Sequence, residues 1–143
     1  MALAWSQEFS VGNAMIDSDH KSLIVMVNNL EHAIGARDRS ALPHAFEQLE
    51  QNLCAHFANE EKLAHAIKFP FNHNELEHKY FLNMLYLIRD AVAAMSAQSG
   101  MWAEDAVEHY SELLSDWFTN HIVDEDMLLK PVLQTYSYEF NPG

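Results

Sequence analysis

Apolar residues recur along this chain at the three- and four-residue spacing of a buried helix face. Leu23, Val27, Leu30 and Ile34 form one such stripe, and Phe46, Leu49 and Leu53 a second. Phe81, Leu85 and Ile88 form a third, and Val107, Tyr110, Leu113, Leu114 and Trp117 a fourth. The alternating pattern of a half-buried strand is missing, as are hairpin signals. Gly and Pro are scarce and sit between the stripes. Gly12 lies in an N-terminal arm, Gly35 and Pro43 bracket the first connection, Pro70 marks the second and Gly100 the third, and Pro131 follows the last stripe. Four helices of about 17 to 27 residues joined by short loops predict an all-α, up-down-up-down four-helix bundle. We expect a single domain over residues 1–143, with an arm at 1–17, the bundle at about 18–133 and a C-terminal tail at 134–143.

In the arm, Trp5, Phe9 and Val11 are expected to pack along the outside of the bundle. Asp17 or Ser18 is expected to cap the first helix, and Asp17 and Asp19 suit its positive end. The tail, Tyr136 to Gly143, is expected to continue past the bundle.

Composition narrows the function. A net charge of −13 argues against a nucleic-acid or anionic-membrane partner. No apolar run is long enough to span a bilayer and no leader is evident, so a soluble, cytoplasmic protein is expected. Cys54 is the only cysteine, which excludes an internal disulfide and fits a reducing compartment. Nine histidines against eight lysines and arginines is the unusual count, and it directs attention to where the histidines fall.

His56 and Glu60 are four residues apart, about 40° round a helix, so both leave one face. That face also carries Leu49, Leu53 and Leu63, which belong to the core. An imidazole and a carboxylate aimed into an apolar interior need a partner, either a metal ion or each other. His20 lies on the stripe through Leu23 or Ile24 to Val27. His78 shares a face with Phe81, Leu82 and Leu85, and His121 follows Trp117 and Phe118. Asp126 is five residues beyond His121 and shares a centre with it only if the helix loosens between them. Taken singly, His20 reads as a core or cap-region histidine, and Asp124, Glu125 and Asp126 as a solvated acidic run. Together, four imidazoles and two carboxylates from four helices are a nitrogen-rich donor set for two metal ions, with carboxylates able to bridge. A ferritin-like di-iron site would need Glu-x-x-His on two helices, and only Glu75 to His78 has that form.

The motifs carrying these residues resemble the hemerythrin family, bacterial hemerythrin-like domains in particular. They are Trp5 and Val11-Gly12, Ile16 to Leu23 around Asp17-Ser18-Asp19-His20, His56-Phe57-Ala58-Asn59-Glu60-Glu61, His78-Lys79-Tyr80-Phe81, and Trp117 to Ile122 with Asp126. The resemblance implies a non-heme di-iron centre bridged by Glu60, Asp126 and a solvent-derived oxygen (oxo or hydroxo). His20 and His56 would hold the iron that binds O2, and His78 and His121 the other. Zinc or manganese could also occupy such donors.

One position departs from the family pattern. The family pairs two histidines four apart on the third helix, and the first of the pair falls on Asn74 here. An amide is a poor iron ligand, so an open coordination position filled by solvent or a small anion is expected at Asn74. His73 entering through a shifted helix, or Asn74 binding directly, are the competing outcomes. Leu23, Ile24, Trp117, Phe118 and Ile122 are the expected apolar wall of an O2 pocket. His32, His44, His65 and His109 match no motif, and Cys54 points away from His56. The functional expectation is an oxygen- or redox-sensing module rather than an enzyme, with an attached or separate signalling output domain such as a diguanylate cyclase. A free-standing O2 carrier or store is the alternative, and a weak di-iron oxidase or peroxidase another.

Overall fold

The computed structural model describes residues 3–70, 72–97, 104–121 and 126–142, with 72–74, 96, 97 and 104 described for their backbone only. Four long helices carry the chain: α1 (Ala14–Gly35), α2 (Leu42–Ala66), α3 (Asn72–Ala97) and α4 (Glu104–Asn120). A 3-10 turn at Gln7–Phe9 precedes them. A second at Asp126–Leu129 runs into the short helix α5 (Lys130–Leu133). α1 packs on α2 and α4, α2 on α3, and α3 on α4, which closes the bundle. Among the described residues no strand forms, and no helix is long and apolar enough to cross a membrane.

The helix ends follow local chemistry. Asn13, not Asp17 or Ser18, caps α1: its side chain accepts from the amides of Met15 and Ile16 at 3.0 and 3.2 Å. The helix therefore starts earlier than expected and places Asp17 inside its first turn, where the carboxylate serves other donors. α1 and α2 end on left-handed residues, Arg37 (φ 54°) and Lys68 (φ 59°). The amide of Asp38 bonds back to Ala33 and that of Phe69 to Ala64, the 6→1 closure that glycine usually makes cheaply. α3 is α-helical from Asn72 to Ala97, without a π turn.

Two apolar clusters hold the bundle. The larger runs its length through Leu23, Val27, Leu30, Ile34, Leu49, Leu53, Leu85, Ile88, Leu114 and Phe118, all at most 2% exposed. Burial of each such side chain contributes about 1.5–3 kcal/mol. A smaller cluster of Val11, Ile16, Leu63, Ile67, Leu129 and Leu133 seals one end, joined by Tyr136 and Phe140. Two expectations about the termini are thereby corrected. Val11 is fully buried in this cluster rather than lying outside the bundle, because the arm turns under α1. The tail folds back instead of continuing outward. Ala14 N–H donates to the carbonyl of Tyr138 at 2.8 Å, and Asn13 Nδ2 to that of Phe140 at 2.8 Å. Trp5 and Phe9 do lie against the larger cluster, with Lys21 Nζ over the Trp5 ring at 4.4 Å.

Candidate metal centre

Up-down connectivity brings the start of α1, the end of α2, the start of α3 and the end of α4 to the same end of the molecule. His20, His56, Glu60, His78 and His121 sit on those four segments, and the turn after α4 adds Asp126. All six are at least nine-tenths buried. Donor atoms of His20, His56, Glu60, His121 and Asp126 all lie within 4.8 Å of one another. His78 joins from α3, its Nε2 2.7 Å from Glu60 Oε2. The loosening needed to align His121 with Asp126 is present: the backbone at His121 opens into a π turn.

The two carboxylates form the middle of the cluster. Asp126 Oδ2 contacts His20 Nε2 directly and lies 3.2 Å from His56 Nε2 and 3.0 Å from His121 Nε2. Glu60 Oε1 lies 2.6 Å from His56 Nε2 and 3.4 Å from His121 Nε2. His20 therefore stands on the Asp126 side, His78 on the Glu60 side, and His56 and His121 reach both. First-row divalent ions hold N and O donors at about 2.0–2.2 Å, which puts neighbouring donors on one ion about 3 Å apart. The separations here have that scale.

Hydrogen bonding alone does not account for this arrangement. The Nε2 atoms of His56 and His121 face each other at 3.2 Å, where at most one proton can lie between them. Oδ1 of Asp126 is buried without a hydrogen-bond partner, and both oxygens of Glu60 meet imidazole nitrogens at ion-pair distance without hydrogen-bond geometry. An unpaired buried carboxylate oxygen is costly, and an ion among the imidazoles resolves it. The charges reinforce the point. Burial pulls the His121 pKa down, yet Asp126 and Glu60 beside it push it up to about 9. Burial is likewise overcome at His56, which Glu60, Asp126 and Asp19 hold well above the ordinary imidazole value. Burial and the neighbouring Asp126 push Glu60 up, but His56 and His121 prevail and hold it at about 2. Asp126, against its burial, is held well below the usual carboxylate range by His121, Glu60 and His20. These directions favour protons on His56 and His121 beside ionised carboxylates when no metal is bound. A cation can take the place of those protons.

The comparisons agree with the donor set. The model of the hemerythrin HHE cation-binding domain matches residues 11–133. The chain belongs to the hemerythrin family. A bacteriohemerythrin of Pseudomonas aeruginosa is 30% identical over 124 residues, covering 87% of this chain and 76% of that protein. A bacteriohemerythrin of Stenotrophomonas maltophilia is 27% identical over 138 residues, 96% and 86% of the two chains. A hemerythrin-like protein of Naegleria gruberi is 28% identical over 131 residues, 90% and 92%. A crystal structure of a hemerythrin point mutant superposes with a TM-score of 0.74 at 24% identity over 93% of this chain and 98% of that one, which establishes the shared fold. Membership of the hemerythrin family implies non-heme iron binding, and the buried His/Glu/Asp cluster is where the residues of this chain fit such a metal.

Around the hemerythrin-type cluster lies a shell that sequence patterning only partly exposed. Asp19 does more than favour the positive end of α1. Its Oδ2 accepts from His56 Nδ1 at 3.1 Å and from Asn59 Nδ2 at 2.9 Å. A neutral His56 that donates through Nδ1 leaves its Nε2 lone pair aimed at the cluster. Phe57 stacks flat on His78, centroids 3.9 Å apart, and Phe81 meets the edge of His121 at 5.2 Å. Both are adjacent to ligand positions in sequence or one helical turn away, which was the available signal. Of the expected wall, Leu23, Ile24, Trp117 and Phe118 are buried in the core, and the Phe118 ring stands edge-on to His20 at 6.5 Å. Ile122 lies outside the described residues, as do the side chains of His73 and Asn74. His32, His44, His65 and His109 are exposed, as is Cys54, away from the cluster.

Proposed function

We propose that this hemerythrin-family domain holds two irons between His20, His56, His78, His121, Glu60 and Asp126, binds O2 there, and serves as an oxygen or redox sensor rather than as an enzyme. When bound, the irons would supply a redox-active centre for O2. The chain's own residues do the rest. Glu60 and Asp126 span the middle of the cluster and are the candidates to bridge, since each carboxylate lies within ion-pair reach of imidazoles from two different helices. That single observation carries the two-metal reading. Asp19 orients His56, and Phe57, Phe81 and Phe118 keep water from the imidazoles. P. aeruginosa, S. maltophilia and Naegleria relatives are named for hemerythrin, consistent with O2 as ligand.

The sensor reading rests on Asn74. It stands four residues before His78 on a regular helix, the position where the family pattern has a second histidine. An amide there favours an open coordination position for solvent or a small anion, and access of solvent favours rapid oxidation over reversible storage. His73, about 140° away from His78 round an unbroken helix, is poorly placed to substitute. The deciding experiment follows the visible spectrum of anaerobically reduced, iron-loaded protein after mixing with O2. A rapid change that only a reductant reverses is expected. A persistent band that disappears under vacuum would overturn the sensor reading in favour of a carrier.

A further inference from the structure

The C-terminal segment leaves the candidate metal centre and returns to it. Asp126 begins the segment and touches His20 directly. Leu129 and Leu133 then anchor it in the smaller apolar cluster, both at most 2% exposed. After α5 the chain crosses beneath α1, with Tyr136 packed on Phe140 at 4.8 Å. Three hydrogen bonds then fasten it to the start of α1. Tyr138 Oη donates to Asp17 Oδ2 at 2.9 Å, the Tyr138 carbonyl accepts from Ala14 N–H, and the Phe140 carbonyl accepts from Asn13 Nδ2. Asp17 is 1% exposed and lies three residues before His20. Its carboxylate also gathers Ser10 Oγ and, at 2.9 Å, the amide of Val11. Two routes therefore join Asp126 to His20. One is the direct contact at the centre, and the other runs through residues 127–142 and the first turn of α1.

We propose that residues 126–142 form a metal-secured strap whose seating on α1 depends on occupancy of the centre, with Asp17 and Tyr138 as positioning residues for His20. The inference rests on the two-metal reading above. An ion shared by Asp126 and His20 fixes one end of the strap through the ligands of all four helices. Without the ion, that end keeps only the contacts of Asp126 Oδ2 with the imidazoles of His20, His56 and His121, and Asp126 Oδ1 has no hydrogen bond. The other end is held at Tyr138, itself 45% exposed, so its hydroxyl bond competes with water. Linkage makes the coupling reciprocal: metal stabilises the seated strap, and a seated strap tightens the metal. Release of the strap would bare Val11, Ile16, Leu63 and Ile67, an apolar patch whose appearance would report the state of the centre outside the bundle. It is a physical route for a signal that requires no rearrangement of α1 to α4.

Hydrogen exchange on the full chain tests the strap, with protein loaded anaerobically with ferrous ion and protein stripped by a chelator. Stripping should speed exchange at the amides of Ala14, Tyr136 and Phe140 by about tenfold or more, while those of Leu85 to Val92 in α3 change little. In loaded protein, Tyr138→Phe should raise exchange at the same three amides and hasten iron loss to a chelator by about fivefold or more. Asp17→Asn serves as the second variant and should act in the same direction. Exchange at the three amides that is equal with and without iron, in protein that holds iron, overturns the strap alone. An equal acceleration in the strap and in α3 overturns it too, since that is global loosening. Protein that takes up no iron overturns the two-metal reading, and the strap falls with it.

Discussion

The two ends of the bundle are built on different principles. At the far end, Leu30, Ile34, Leu49, Ile88, Val92 and Val107 meet, all at most 6% exposed, and the buried acidic group beside them, Glu31, accepts from Ser115 Oγ rather than joining a cluster of charges. There α2 and α3 part around an open groove of about 730 Å³, floored by Leu42, Phe46, Leu85 and Val92 and rimmed by Arg39, Glu47, Glu50 and Arg89. At the metal end, six polar ligand candidates are buried and the arm, α5 and the tail close over them. Apolar burial is additive and forgiving, so one end can remain partly open. A buried cluster of carboxylates and imidazoles is neither: each group depends on the others and on exclusion of water.

The largest separation of the two ends comes from paired substitutions. Asp126→Ala should abolish stable iron binding, lowering bound iron from the two per chain proposed above to well under about one, as read by elemental analysis after desalting. Leu30→Ala should leave iron content unchanged and cost about 2–5 kcal/mol in denaturant unfolding, equally with and without iron. If Leu30→Ala also empties the centre, the ends are coupled through the core and the contrast is wrong.

Asp19→Asn should have the next largest effect. It removes the charged acceptor for His56 Nδ1–H while keeping the side chain's shape, so iron affinity should fall about 10- to 100-fold with little change in melting temperature. Asn59→Ala, which deletes only the second donor to Asp19, should cost less. An Asp19→Asn protein with undiminished affinity would mean that packing alone fixes the His56 ring.

Legibility in the sequence divides along the same line. Helical periodicity is set by burial, and the stripes through Leu23 to Ile34, Phe46 to Leu53 and Phe81 to Ile88 are all core in the structure. The cluster was legible because a helix converts spacing into direction: His56 and Glu60 had to share a face. What spacing cannot carry is a contact between distant irregular segments. Tyr138 reaches Asp17 across 121 positions from a tail without periodicity, and Asp19 reaches His56 from another helix. Asp17 illustrates the loss. Near a helix start an aspartate reads as a cap, and only the fold reveals that Asn13 caps while Asp17 ties arm, helix and tail together.

The metal end should also respond to pH through its buried imidazoles, a group the far end lacks among the described residues. His121 is raised to about 9, so the stability it lends the metal-free protein is complete below its ordinary value of 6.5 and is lost as pH rises through about 9. Glu60 is lowered to about 2, so its contribution is complete above 4.5 and is lost as pH falls through about 2. Metal-free protein should therefore draw the most from this cluster between about pH 4.5 and 6.5. Iron loading near neutral pH should displace protons from imidazole, measurable as acid release in weakly buffered solution and as affinity that rises with pH. Loading with no proton release would place the iron elsewhere.

The smallest expected effect tests the far end. Ala93 lines the groove between α2 and α3 and is exposed. Ala93→Leu adds apolar surface against Phe46 and Leu85 without displacing a packed neighbour, so it should leave stability unchanged or raise it by up to about 1 kcal/mol. Iron uptake should not change. The same enlargement at Ala64, fully buried beside the metal end, should destabilise by about 1–3 kcal/mol through overpacking. A loss at Ala93 as large as that at Ala64 would mean that α2 and α3 close together in solution. The far end would then be as tightly packed as the metal end, and the difference between them would reduce to the charges alone.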